Sequence, residues 1–220
     1  MNLKHLPFLR RPALVLLCAL FTTGLLAQDA AKTNDILLKA TGPFEDMVGP
    51  ALAKNDKGIA KQLAAVDQQA DDVKKVLPAE SAKQFDTLLQ SLHKAAAAKD
   101  GLAVAQDAVV IFRLLVDNLK ADTLKIPLEV SLLDWAGYDL QVLAAAGKPD
   151  WAAMSKVAAD ADGWWKAIAK KITDKNLRAT VATTMLGLQQ STKEHNLPMV
   201  KFSAQIALDL VDLIEGAFKK

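Results

Sequence analysis

Glycine and proline recur at intervals of roughly 20 residues along this chain, and this spacing constrains the fold most. Alanine, leucine, lysine, aspartate and glutamine dominate the intervening segments, and β-branched residues never collect into alternating runs. Such segments are typical of amphipathic α-helices. The sequence therefore predicts an all-α fold of about eight helices, at residues 33–53, 57–76, 79–98, 102–119, 127–146, 151–172, 175–194 and 198–218.

The two halves of the chain resemble each other. LLKATG at 37–42 precedes LLDWAG at 132–137 by 95 positions, and IFRLLVD at 111–117 precedes DLVDLIE at 209–215 by 98. Internal similarity at a long, nearly constant offset favours a tandem duplication. Because the connections are short, neighbouring helices should run antiparallel. We predict one helical domain over residues 28–220, built of two up-down four-helix repeats at about 33–122 and 126–219.

The first 27 residues are typical of a secretory signal peptide. Lys4, Arg10 and Arg11 form a basic front, and the apolar run behind them is shorter than the roughly 20 residues that cross a bilayer. We expect cleavage after Ala27 and export to the periplasm, with secretion from the cell as the alternative. No basic stop-transfer cluster follows, so no stable membrane anchor is expected.

Cysteine content and charge narrow the classes of function. The one cysteine, Cys18, lies in the leader, so the exported part has neither a disulfide nor a CxxCH site for covalent haem. Loss of the leader leaves 24 basic against 25 acidic residues. A nearly neutral chain lacks the positive surface of nucleic-acid-binding proteins. Nucleic acid is therefore not an expected partner.

Polar edges of the fifth and last helices define a candidate ligand site. The last helix is apolar on two sides, which predicts burial, and its polar edge holds Asp209 and Asp212. Burying a lone carboxylate costs on the order of several kcal/mol unless it meets a cation, a donor, a metal ion or water. The fifth helix adds Asp134, Tyr138 and Asp139. If these edges meet, they form a pocket for a metal ion or a small cationic ligand; the alternative is that the carboxylates are solvated.

The same carboxylates could instead form structural ion pairs with Arg113. It precedes Asp117 by four residues, the spacing of a helical ion pair, and could also reach across to Asp209 or Asp212. A network of this kind would fix how the two halves pack and would bind nothing.

Two further groups of residues are candidates for other roles. His195 and Met199 are four residues apart and would suit a soft-metal site for Cu(I). Trp151 and Trp165 lie on the sixth helix, where one or both would be exposed to contact a protein partner. The sequence has no His/Glu pair at the spacing of zinc or di-iron sites, so the cofactor is left open and a metal ion is one possibility.

The sequence favours a protein that is not an enzyme. It contains no GxSxG nucleophile motif and no glycine-rich phosphate loop. The first hypothesis is therefore a periplasmic helical-bundle binding protein that holds a metal ion or a small cationic ligand. The alternative is a non-catalytic envelope scaffold or adaptor that docks a protein partner through the tryptophan-bearing helix.

An exported chain of two four-helix units resembles the imelysin-like, or M75 peptidase-like, domains of bacterial periplasmic iron-uptake proteins. The segments nearest to that family's GxHxxE motif are GYDLQV at 137–142 and GPFEDM at 42–47, and neither holds the histidine or the final glutamate. The resemblance implies an all-helical fold and a role in metal uptake or homeostasis.

Overall fold

The computed structural model describes residues 16–219, and their side chains from residue 29 onward. The basic front of the predicted signal peptide lies outside the described residues. The described part holds eight α-helices and no strand, which confirms the all-α prediction. The helices are α1 (Leu16–Leu52), α2 (Asp56–Val76), α3 (Ala79–Ala97), α4 (Gly101–Asp117), α5 (Leu128–Ala145), α6 (Trp151–Ile168), α7 (Lys175–Lys193) and α8 (Leu197–Phe218).

The first helix starts earlier than the sequence analysis predicted, at Leu16 instead of residue 33. No glycine or proline lies between residues 25 and 41, so nothing in the local sequence stops a helix at 33. Pro43 and Pro50 both lie inside α1. Each lacks the N–H that would bond to the carbonyl four residues earlier, and packing against α2 and α4 keeps α1 continuous across them.

The helices pack as two groups of four. In the first group α1 contacts α2 and α4, and α3 contacts α2 and α4; in the second, α5 contacts α6 and α8, and α7 contacts α6 and α8. Each group surrounds its own apolar core, with Phe44, Phe85 and Phe112 buried in the first and Met154 and Trp165 in the second. Helix α5 also contacts α4 and α1, so it joins the two groups.

Polar caps start five of the helices. The side chains of Asn55, Asp100, Asp150, Asp174 and Asn196 accept hydrogen bonds from backbone N–H groups in the first turns of α2, α4, α6, α7 and α8. Caps of this kind satisfy donors that the helix itself leaves unpaired. Within residues 16–219, none of the helices is long and apolar enough to cross a membrane.

Candidate functional site

A cavity of about 570 Å³ opens at the junction of the two helix groups. One wall is a single face of α1, and the opposite wall comes from α5, from the α4–α5 connection at residues 123–126 and from Glu215 near the end of α8. The α1 residues recur every three or four positions, as one helix face requires. They are Ala31, Asn34, Asp35, Leu38, Thr41, Gly42 and Glu45.

Asn34 holds the α4–α5 connection against α1. Its side-chain oxygen accepts a hydrogen bond from the Lys120 backbone N–H at 2.7 Å, and its side-chain nitrogen donates to the Lys120 carbonyl at 2.9 Å and to Thr123 Oγ1 at 2.8 Å. Asn34 is buried, and these bonds use both ends of its amide. The wall of the cavity is thereby fixed by a polar side chain and not by apolar packing alone.

Carboxyl groups from three helices converge on the cavity: Glu45 of α1, Asp134 of α5 and Glu215 of α8. Burial, reinforced by the negative charges of Glu45, Glu215 and Asp212, raises the pKa of Asp134 to about 8. Burial also raises the pKa of Glu45; Thr41 opposes that shift, and neighbouring carboxylates, including Asp46, add to it. Both groups are thus disposed to hold a proton unless a cation approaches.

Two lysines lie near these carboxyl groups. Lys219 donates to Glu215 at 2.8 Å on the exposed end of α8, and Lys125 lines the cavity. Among the described residues, no cationic side chain pairs with Asp134. Glu45 and Asp134 therefore face the cavity without a counter-ion from the described chain.

The remaining walls of the cavity are apolar and aromatic. Leu38, Phe112, Leu124 and Ile126 line it. Beside it, Tyr138 meets Phe112 edge-on with ring centroids 6.3 Å apart, and burial, followed by the charge of Asp134, raises the Tyr138 pKa well above its usual range. The site therefore combines acidic groups with hydrocarbon surface, as ligand pockets commonly do.

The structure brings together some of the predicted site residues and separates others. Asp134 lines the cavity and Tyr138 lies beside it, whereas Asp212 is exposed and does not line the cavity, although its charge helps to raise the pKa of Asp134. Asp209 is exposed and accepts a hydrogen bond from Gln205 at 2.9 Å. The prediction that α8 is buried on both sides is wrong, because α8 packs mainly against α5 and α7 and leaves Phe202 and Leu213 on its outer face exposed.

Asp139 belongs to a different cluster, beside Arg113. The guanidinium of Arg113 pairs with Asp117 at 2.7 Å and lies over the Trp135 ring, 4.5 Å from its centroid, and near that of Trp164 at 5.4 Å. Burial raises the pKa of Asp139 to about 6, and the charge of Arg113 opposes the shift. Arg113 thus bonds within α4 and packs on α5 and α6; it does not pair with Asp209 or Asp212.

The prediction that Trp165 is exposed to contact a protein partner is wrong, and the same prediction for Trp151 stays a prediction. Trp165 is 3% exposed, in the apolar seam of α6 that also holds Met154 and Ile168, so it offers no surface to a partner. Its neighbour Trp164 packs edge-on against Trp135, with ring centroids 6.1 Å apart. Trp151 is half-buried.

His195 and Met199, the soft-metal candidates, lie in the α7–α8 turn and the first turn of α8. The His195 ring stacks on Trp151 at 4.7 Å, and Met199 is exposed. Across the described residues, no three His, Cys, Asp or Glu side chains are grouped so that they could hold a metal ion. The acidic cavity therefore holds no such group, and the soft-metal site at His195 and Met199 stays a prediction.

The sequence analysis missed Glu45 and Glu215 as parts of the acidic site and Asn34 as its support. Glu45 shares a helix face with Asn34 and Thr41, but this pattern is equally typical of a solvated edge. Comparisons with protein-family models, with characterised proteins and with solved structures found no match to this chain. The resemblance to imelysin-like domains stays a prediction.

Proposed function

We propose that this chain binds a small organic cation in the acidic cavity between α1, α5 and α8. The observation that carries the proposal is the environment of Asp134. Its carboxyl faces a cavity of about 570 Å³, and every charged neighbour that shifts its pKa is another carboxylate. A buried acid among like charges gains most when a positive charge arrives, because the cation offsets both the burial and the repulsion.

The cavity favours an organic cation over a bare metal ion. The described residues include no cluster of three metal-binding side chains, and the volume far exceeds that of an ion. Leu38 and Phe112 offer apolar surface to a hydrocarbon body, while Glu45 and Asp134 can accept hydrogen bonds from an ammonium group. A protonated amine with an apolar body fits both features.

We propose that binding takes place in the periplasm, with secretion as the alternative, because the first 27 residues are typical of a signal peptide. A role in uptake or homeostasis of the cation is consistent with that location. We propose binding without catalysis, since the sequence carries no nucleophile motif. Docking of a protein partner through α6 is the weaker alternative, because Trp165 is buried.

Thermal shift and calorimetric titration test the binding proposal with a defined set of probes: putrescine, choline, butylamine, Mg²⁺ and Zn²⁺. We expect at least one of the organic cations to raise the melting temperature at pH 8. The Asp134→Asn/Glu45→Gln protein should lose that shift, because the cavity then holds neither of the two unpaired carboxyls.

Asp160→Asn is the matched control. Asp160 pairs with Lys156 on the surface of α6, away from the cavity, so this variant should keep the full ligand-induced shift. If no organic cation binds, or if the double variant binds as tightly as the natural sequence, the proposal is wrong. Binding of Zn²⁺ or Mg²⁺ alone, abolished by the double variant, would instead favour a metal site.

A further inference from the structure

The acidic cavity is elongated along α1. Its lining residues on that helix extend from Ala31 to Glu45, which corresponds to roughly 21 Å at the helical rise of about 1.5 Å per residue. Spread over that length, the volume of about 570 Å³ gives a mean cross-section of roughly 30 Å². A cavity of this shape fits one extended chain better than a compact ligand.

The two ends of the cavity are fixed by different contacts. At one end Asn34 donates a hydrogen bond to Thr123 of the α4–α5 connection at 2.8 Å. At the other end Glu45 lies near enough to Asp134 of α5 for its charge to raise the Asp134 pKa. Asn34 and Glu45 are 11 residues apart, so roughly 16 Å along α1 separates the two ends. A ligand with its ammonium group between Glu45 and Asp134 therefore has that length available for the rest of its chain.

The end near Asn34 offers a ligand mainly apolar surface. Asn34 uses both ends of its amide in bonds to the α4–α5 connection, and the Thr123 hydroxyl donates to the Lys120 carbonyl at 3.1 Å. These polar groups are therefore already engaged within the chain. The apolar side chains that line this part of the cavity are Leu38, Leu124 and Ile126.

The two charged side chains near that end have opposite signs. Asp35 and Lys125 both line the cavity, and both are exposed to water. Together they carry no net charge, so this end attracts neither a second ammonium group nor a carboxylate of the ligand. At the other end Glu45 and Asp134 are both acidic. The charge pattern therefore favours a ligand that is charged at one end only.

We propose that the cation held in this cavity is an amine with an unbranched, uncharged hydrocarbon chain of about eight or more carbons. Its ammonium group lies between Glu45 and Asp134, and its chain follows α1 past Leu38 towards Leu124 and Ile126. This inference rests on the cation binding proposed above and adds the length and polarity of the ligand. Each methylene removed from water raises the affinity by up to roughly fourfold, so the chain supplies much of the binding.

Calorimetric titration at pH 8 tests the chain with four probes: butylamine, octylamine, 1,8-diaminooctane and 8-aminooctanoate. Octylamine should bind at least about tenfold more tightly than butylamine, and more tightly than the diamine or the amino acid. The Asp134→Asn/Glu45→Gln protein should lose octylamine binding. If octylamine binds no more tightly than butylamine, or more weakly than the diamine or the amino acid, this inference is overturned. Cation binding itself fails only if none of the organic cations binds, putrescine and choline included.

Leu38→Asn tests the path of the chain. Leu38 is 39% exposed and lies roughly 10 Å along α1 from Glu45, so the longer chain depends on it more than the shorter one does. The variant should weaken octylamine binding about fivefold and butylamine binding less. Leu186→Asn is the matched control, because Leu186 is 63% exposed on α7 and does not line the cavity. An unchanged ratio of the two affinities in a folded Leu38→Asn protein, as judged by circular dichroism, contradicts this path.

Alkylation in a Cys18→Ser background locates the far end of the chain. The reactive carbon of 8-bromooctylamine lies about as far from its nitrogen as Leu38 lies from Glu45. In Leu38→Cys the thiolate displaces bromide and forms a thioether, and the bound ammonium group holds the reactive carbon near it. The rate with 8-bromooctylamine relative to 3-bromopropylamine should be at least about tenfold higher for Leu38→Cys than for Leu186→Cys. Equal ratios for the two variants, measured by mass spectrometry, would overturn the placement.

Discussion

Asp134 shows how a single residue couples stability, protonation and binding. Its half-buried carboxyl is partly desolvated and lies near Glu45 and Glu215, and both effects favour the neutral form. Near neutral pH the group therefore keeps a proton, which an arriving cation would displace. Affinity for an organic cation should accordingly rise with pH up to about 8.

The first prediction concerns the pH dependence of stability. The pKa of Asp134 is about 8 in the folded protein against 3.8 ordinarily, so the folded state binds the proton more tightly. The contribution of this proton to the free energy of unfolding is complete below pH 3.8 and is lost as the pH rises towards and through 8. The free energy of unfolding should fall over that range. Urea denaturation at pH 5, 7 and 9 measures it.

Asp134→Asn isolates this contribution, because an amide is neutral at every pH. The variant should lose part of the decline in stability and should melt above the natural sequence at pH 9. Asp160→Asn, on the surface, should keep the full decline. Parallel pH profiles for the natural sequence and Asp134→Asn would contradict the assignment.

Asn34 supplies the second prediction at this scale. Asn34→Ala removes three hydrogen bonds and leaves the Lys120 N–H without its acceptor, whereas the Lys120 carbonyl still accepts from the N–H and the hydroxyl of Thr123. We expect a loss of about 2–4 kcal/mol in the free energy of unfolding. Thr123→Ala removes only one of the three bonds and should cost about 1 kcal/mol. Chemical denaturation compares the two, and equal effects would argue against the Lys120 bonds as the main contribution.

At the scale of elements, three helix connections use the same tight turn. Lys54, Lys99 and His195 have φ of 54°, 57° and 56°, and each precedes the residue that caps the next helix. In each case the N–H of the cap bonds to the carbonyl five residues earlier, as Asn55 does to Pro50. This is the Schellman arrangement, which usually places glycine at the left-handed position. The turns therefore retain strain that glycine would relieve.

The third prediction follows from that strain. Lys54→Gly should stabilise the protein by about 0.5–1 kcal/mol, since glycine adopts positive φ without a steric penalty. Lys61→Gly is the matched control: Lys61 is an exposed residue inside α2, where glycine should cost about 1 kcal/mol. Thermal and urea denaturation of the two variants should show changes of opposite sign. A loss of stability in Lys54→Gly would contradict the prediction.

At the scale of the whole molecule, α5 links the two helix groups through a polar and aromatic junction. Trp135 donates its indole N–H to the Val109 carbonyl at 3.2 Å and lies beneath the Arg113 guanidinium. The acidic cavity lies at the same junction, with Glu45 from the first group and Asp134 and Glu215 from the second. The site therefore requires both halves of the chain in this arrangement.

The fourth prediction concerns the whole chain in its compartment. The signal peptide predicts that protein produced in a double-membrane bacterium is found in the periplasmic fraction and begins at Gln28. Intact-mass measurement of that fraction would show the loss of residues 1–27. Replacing Arg10 and Arg11 by Glu should retain the chain in the cytoplasm. Full-length protein in the cytoplasmic fraction of the natural sequence would refute export.

The features that the sequence predicts well are local ones, namely the positions and ends of the helices. Helix-forming residues and breakers identified eight helices, with most ends within a few residues of those observed. Asp150 caps α6 by accepting a hydrogen bond from the Ala153 N–H three residues on, a contact that depends on the local sequence alone. The predicted start of α1 differs from the observed one because the signal peptide and the first helix are separate segments in the prediction, whereas α1 runs continuously from Leu16 to Leu52.

The amino-acid sequence by itself determined the all-α class and the number of helices, because these depend on hydrogen bonds and periodicities within a few residues. Only the tertiary structure decided which polar edges met. Glu45 and Asp134 are far apart in sequence, and they face each other because α5 packs against α1. The same packing left the outer face of α8 open. Long-range packing selects one helix arrangement among several that satisfy the same local pattern, so the site became visible only with the fold.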